Sequence, residues 1–174
     1  MKKSFCLWSL LGFGFSSLSG TLLHFAYDTL GGVAWIAPFS SVNESTFEHM
    51  KLLFMPMFVY TLIQSFFFRE IKSFWCIKLY STLIGLIIIP TAFYTYNGVI
   101  GRSPAFINIA IFFIALAFSY LYEFFAFIKE SVKCKYPGLA FILLFLIFLS
   151  FAVFTFATPK INLFKDPITN TYGI

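Results

Sequence analysis

The run Leu79-Tyr80-Ser81-Thr82-Leu83-Ile84-Gly85-Leu86-Ile87-Ile88-Ile89-Pro90-Thr91-Ala92-Phe93-Tyr94-Thr95-Tyr96-Asn97-Gly98-Val99-Ile100-Gly101 contains no aspartate, glutamate, lysine or arginine. A helix needs about 20 mostly apolar residues to cross the hydrocarbon of a bilayer, and this run supplies them. It is apolar at odd and even positions alike. A lipid-facing barrel strand would alternate, and an open strand would leave its backbone groups unpaired in lipid. The same reading extends outward to Ser4–Tyr27, Leu52–Phe68, Ser103–Tyr122 and Tyr136–Pro159. The expected fold is therefore all-α: one membrane domain over residues 1–174, a bundle of five transmembrane helices. Its spans fall at about 5–27, 47–68, 74–98, 104–127 and 136–158, and a tail follows at 159–174.

Composition agrees. The chain is 60% hydrophobic, 22% aromatic and only 11% charged, with a mean hydropathy of +0.88, well away from the averages of soluble domains. The net charge of +5 has no basic run with interleaved aromatics, so it points to topology and anionic lipid and excludes a nucleic-acid partner. Lys2, Lys3, Arg69, Lys72, Lys78, Lys129, Lys133 and Lys135 fall at one set of span ends, against Lys51, Arg102, Lys160 and Lys165 at the other. The lysine and arginine bias then places the N-terminus inside and the tail outside a cell membrane. Cys6, Cys76 and Cys134 all fall at the inner ends, where thiols stay reduced, so no disulfide framework is expected. Met1-Lys2-Lys3 with Ser17-Leu18-Ser19 also fits a cleaved signal peptide. The apolar run continues to Tyr27, which favours a retained first span.

The chemistry concentrates in Val42-Asn43-Glu44-Ser45-Thr46-Phe47-Glu48-His49-Met50-Lys51. Ionisable groups near hydrocarbon are costly and usually face a bundle interior or a watery cavity. Helical projection puts Ser17, Gly20, Thr21, His24 and Asp28 on one face of the first span, and Ser45, His49, Pro56, Tyr60 and Gln64 on one face of the second. The third offers Tyr80, Pro90, Tyr94, Gly98 and Gly101; the fourth offers Asn108, Ala115, Ser119, Tyr122 and Glu123. The fifth has no polar stripe and is expected to face lipid. Ser45 and Glu48 fit a capping box, Glu48 and Lys51 a pair along the helix, and Glu123 a side chain reaching the interface.

Candidate ligand-binding residues are His24, Asp28, Asn43, Glu44, Ser45, Glu48, His49, Lys51, Tyr94, Asn97 and Asn108. For catalysis, His24 and His49 are the acid–base candidates, beside Glu44, Glu48 or Asp28. A divalent metal would need His24 and Asp28, four apart, with His49, Glu44 or Glu48 completing the set. Three classes of function follow: a pocket binding a lipid headgroup, small solute or membrane partner; a membrane-embedded hydrolase or transferase, with or without a metal; and a transporter or channel subunit. The tail, with Phe164, Pro167 and Tyr172 as apolar anchors, is expected to pack over residues 43–49, Asp166 or the terminal carboxylate bonding to Lys51, Arg102 or free backbone N–H groups. The sequence leaves the oligomeric state open.

Three segments carry a resemblance: His24-Phe25-Ala26-Tyr27; Val42-Asn43-Glu44-Ser45 with Phe47-Glu48-His49-Met50-Lys51-Leu52-Leu53-Phe54-Met55-Pro56; and the tail Asp166-Pro167-Ile168-Thr169-Asn170-Thr171-Tyr172-Gly173-Ile174. They resemble a family of small bacterial integral membrane proteins classed as a domain of unknown function, whose pattern reads HFxY, PVNESxWEHxKLLFxPM and DPxTxTYGI. Ser41 and Phe47 depart from it, standing where that pattern has proline and tryptophan. Tyr94 to Gly101 also looks like the family's third-span exit. The resemblance implies a fold and a membrane location, and no activity.

Overall fold

The computed structural model describes residues 2–101 and 104–174. The described residues form five α-helices, α1 (Lys2–Thr29), α2 (Thr46–Phe67), α3 (Phe74–Ile100), α4 (Ala105–Lys129) and α5 (Pro137–Phe156), followed by a 3-10 turn at Asn162–Phe164. Each α-helix is long and apolar enough to cross a membrane. Arg102 and Ser103 lie outside the described residues, so the tail partner expected in Arg102 is not placed.

The helix ends follow local chemistry. Ser45 caps α2 by accepting from the Glu48 N–H, Pro137 opens α5 where its missing N–H costs nothing, and Gly101 closes α3 in the left-handed region, φ 73°. Only half of the expected capping box forms. Glu48 does not reach back to Ser45; its Oε2 accepts from the Val42 N–H at 3.1 Å, and the Ser45 N–H goes to Asn43 Oδ1 at 2.9 Å.

Helix α2 is the most buried and packs against α1, α3 and α5. Its middle turns, with Leu52, Leu53, Phe54, Met55, Met57 and Phe58 all buried, form the dry centre of the bundle. Pro56 has no N–H for the Leu52 carbonyl one turn earlier. Gly20 of α1 approaches that oxygen so closely that a Cβ would lie 3.0 Å from it, a contact suited to a Cα–H donor. Gly85 plays the matching part between α3 and α4, where a Cβ would sit 2.5 Å from Ser119 Oγ.

Three sequence expectations change. The third span's polar stripe was placed at Tyr80 and Tyr94, yet these are 45% and 41% exposed, whereas Lys78, Ser81, Thr82, Gly85, Leu86 and Ile89 face inward. Lys78 and Glu123 are not interfacial charges: they form a buried ion pair with Gln64 alongside. Cys76 and Cys134 are joined by a disulfide, leaving Cys6 free and exposed; the compartment argument predicted free thiols, but the α3 start and the loop before α5 come together at one end of the bundle.

Candidate functional site

At the other end, the chain between α1 and α2 folds back over the helices and fixes the site one bond at a time. Ser40, fully buried, inserts its hydroxyl into α1: it accepts from the Tyr27 N–H at 2.9 Å and donates to the Leu23 carbonyl. Those two groups would ordinarily close the helical turn around His24. Ala37 turns its carbonyl inward to Lys51, 2.8 Å from Nζ. Lys51 is 0% exposed, and its ammonium has three donors. All three are used, by Glu48 at 2.6 Å, Ala37 at 2.8 Å and Thr155 of α5 at 2.9 Å. The fifth helix therefore does carry one polar group into the bundle.

Glu44 sits between the two histidines. Its Oε1 lies 3.5 Å from His24 Nε2 and its Oε2 lies 3.7 Å from His49 Nε2. The two rings are 5.8 Å apart between centroids, and His49 Nδ1 is 2.9 Å from the Ser45 carbonyl. Glu44 keeps 39% of its side chain exposed, so the row is open to water.

The tail holds this row from above. Asp166 Oδ2 accepts from the Glu44 N–H at 3.2 Å, and Asn43 Nδ2 donates to the Gly173 carbonyl at 3.0 Å. Phe164 is buried with its ring 4.3 Å from that of Phe47. Within the tail, Asp166 Oδ1 accepts from Ile168 and Thr169 N–H groups, and Lys165 pairs with Tyr172. Burial pushes the Asp166 carboxyl up, but the N–H donors of Ile168, Thr169 and Glu44 outweigh it and hold it below its ordinary range.

Beside the histidines, a cavity of about 180 Å³ opens between α1, α2 and α4. Leu52, Phe25, Ile109, Phe112 and Phe113 make it apolar, while His24, His49 and Asn108 give it a polar edge. His49 and Asn108 also line a smaller hollow toward α3.

Of the predicted ligand-binding set, the structure brings His24, Asn43, Glu44, Ser45, Glu48, His49 and Lys51 into one connected end of the bundle, with Asn108 across the cavity. Asp28 is exposed, its side chain making no bond to that group. Tyr94 and Asn97 line neither histidine cavity; on the last turns of α3, Tyr94 is exposed and Asn97 partly buried. The metal set of His24, Asp28 and His49 does not assemble: among the described residues, no three His, Cys, Asp or Glu side chains are placed to share an ion. The four-residue spacing of His24 and Asp28 puts them on one face, but Asp28 falls in the last turn of α1, where it is exposed. Ser40, Ala37 and Thr155 went unread as site-shaping groups, whereas Asp166 was expected to bond backbone N–H groups before the second span and accepts from that of Glu44.

A family model described as a family of unknown function (DUF6512) matches residues 1–174. The chain belongs to this family. No curated protein and no solved structure matches it. DUF6512 membership thus agrees with the resemblance carried by the Val42–Pro56 block and the tail, and it assigns no reaction.

Proposed function

We propose that this DUF6512 protein binds a membrane amphiphile at the His24–Glu44–His49 end, with the apolar part of the ligand in the α1–α2–α4 cavity and its polar head at the histidines. One observation carries the reading: an apolar cavity between helices ends at a cluster of ionisable side chains, the pairing that recognises an apolar chain with a polar head. The bundle would sit in the cell membrane with its lysine-rich end in the cytoplasm, eight basic residues against four, and the site facing outward. The Cys76–Cys134 bond lies at that lysine-rich end, where a cytoplasmic pair would be kept as thiols.

The test is to purify the protein in mild detergent, extract bound molecules and identify them by mass spectrometry, beside an I109W variant that fills the cavity. Retention of one amphiphile class by the wild type and its loss from I109W is the expected result. Equal lipid content in both would sink the reading. Impermeant thiol labelling of N43C in intact cells tests the orientation, labelling only after lysis being the adverse outcome.

The enzyme reading draws on the same acid–base row, with His24 or His49 moving a proton at a bound head. A transporter is less well supported. The polar groups of the two ends are separated along α2 by the dry turns from Leu52 to Phe58, so there is no continuous polar path beside that helix.

A further inference from the structure

One hydrogen bond and one close ionic approach of His49 bear on where its protons are. Nδ1 lies 2.9 Å from the Ser45 carbonyl oxygen, and a carbonyl only accepts, so Nδ1 carries hydrogen. In a neutral imidazole the other nitrogen, Nε2, then presents a lone pair. Yet Nε2 faces Glu44 Oε2 at 3.7 Å. A lone pair set against a carboxylate oxygen is repulsive, and one proton on that axis removes the conflict, whether it resides on the imidazole or on the carboxyl. On the other side, Glu44 Oε1 faces His24 Nε2 at 3.5 Å, an arrangement the neutral Nε2–H form of His24 satisfies without any extra proton.

We infer that His24, Glu44 and His49 form a proton-binding site that holds one exchangeable proton between Glu44 and His49 at the polar edge of the cavity. This rests on the proposed amphiphile reading only for the claim that a ligand head meets the proton. Among the described residues, the charged groups around it are few. From α1 comes His24, with Asp28 exposed one turn on; from the preceding loop comes Glu44; from α2 come Glu48 and Lys51, which neutralise each other. The tail contributes Asp166, bonded to the Glu44 N–H. The facing residues of α3 and α4, Ile89, Phe93, Asn108, Ile111 and Phe112, do not titrate. Glu44 is therefore the one carboxylate in ion-pair reach of both imidazoles. The proton leaves the row to water through the exposed face of Glu44, or to an acceptor on a bound head, and returns by the same route.

The test is nitrogen-15 NMR of the two histidines in detergent-solubilised full-length protein, titrated from pH 5 to 9 as wild type, E44Q and H24Q. Expected are an Nδ1-protonated His49 in every neutral spectrum and a His49 midpoint displaced by about one pH unit or more in E44Q, the shift an adjacent carboxylate ordinarily produces. H24Q, which keeps Glu44 beside His49, should leave the His49 tautomer and midpoint near those of the wild type, and the wild-type tautomer keeps the test alive if E44Q is poorly folded. A neutral His49 protonated at Nε2, or a His49 midpoint equal in wild type and E44Q, would overturn the proton site. Neither result depends on whether amphiphile is extracted, so failure of the binding reading is scored separately.

Discussion

Among the described residues the bundle buries two lysines, one at each end, and handles them differently. Lys51 at the histidine end pairs with Glu48 three residues earlier on the same helix, and its other two partners are a loop carbonyl and the hydroxyl of Thr155. Lys78 at the opposite end, 2% exposed, pairs across helices with Glu123 of α4 and Gln64 of α2, over the rings of Phe74 and Phe127. The first pair fastens irregular chain to a helix end and so shapes the site. The second joins three helices and is sealed by an aromatic cluster that includes Phe5. A buried ion pair is weak evidence of net stability, because desolvation offsets much of the attraction; removing one partner alone leaves an uncompensated charge.

The sharpest break of the comparison is therefore at the three-helix junction. K78A or E123A alone should destabilise the protein by about 3 to 5 kcal/mol, and the double change K78M/E123L should recover most of that loss. Unfolding followed by circular dichroism in mixed micelles measures it. A double variant no better than the singles would show that the pair has a role beyond mutual neutralisation. At the histidine end, K51M should cost less in global stability, since Glu48 keeps the Val42 N–H, but it should free the 31–45 chain to protease.

Next in size comes the Cys76–Cys134 bond. A disulfide of this loop length ordinarily contributes about 2 to 4 kcal/mol, and it ties the start of α3, two residues from Lys78, to the segment before α5. Reduction should lower the melting temperature of the wild type and leave C134S unchanged. No response to reductant would mean that the bond is not formed in the membrane, as the lysine bias predicts for that end.

The two ends were unequally legible in the sequence, for a physical reason. The five helices could be read because uncharged runs report directly on hydrocarbon, and the His24 and Asn43–Lys51 residues stood out because polarity there interrupts apolar sequence. Lys78 fell at the margin of the uncharged run beginning at Leu79, so counting charges assigned it to the interface. The inward spacing of Lys78, Ser81, Thr82, Gly85, Leu86 and Ile89 was present, but nothing local says that a lysine one turn into a helix has a glutamate 45 positions away. Ser40 in the α1 ladder and Thr155 at Lys51 are long-range contacts of common residue types. Tyr94 erred the other way, polar but exposed, while Asn97 continues the Ile89 and Phe93 face of α3 one turn beyond the hollow those residues line.

The smallest expected effect concerns the tail, which distinguishes the histidine end from its opposite by adding a third layer. Asp166 accepts from Glu44, Ile168 and Thr169 N–H groups, and these donors hold its carboxyl below the ordinary value. The sign of the pH dependence follows. A folded-state pKa below the unfolded one contributes stability that is fully present above about pH 4 and is lost as pH falls through the lower, folded value. The docked tail should therefore be unchanged from pH 8 to about 5 and loosen only in stronger acid. D166N should loosen it at every pH, by about 1 to 2 kcal/mol for the lost charge-assisted bonds. Amide NMR signals of Glu44, Ile168 and Thr169 report this locally, while the melting temperature should move little in either case. If D166N leaves the Glu44 amide and the His24 and His49 resonances where they were, the tail covers the site without positioning it. Movement of all three would make Asp166 the residue through which the end of the chain sets Glu44 between the histidines.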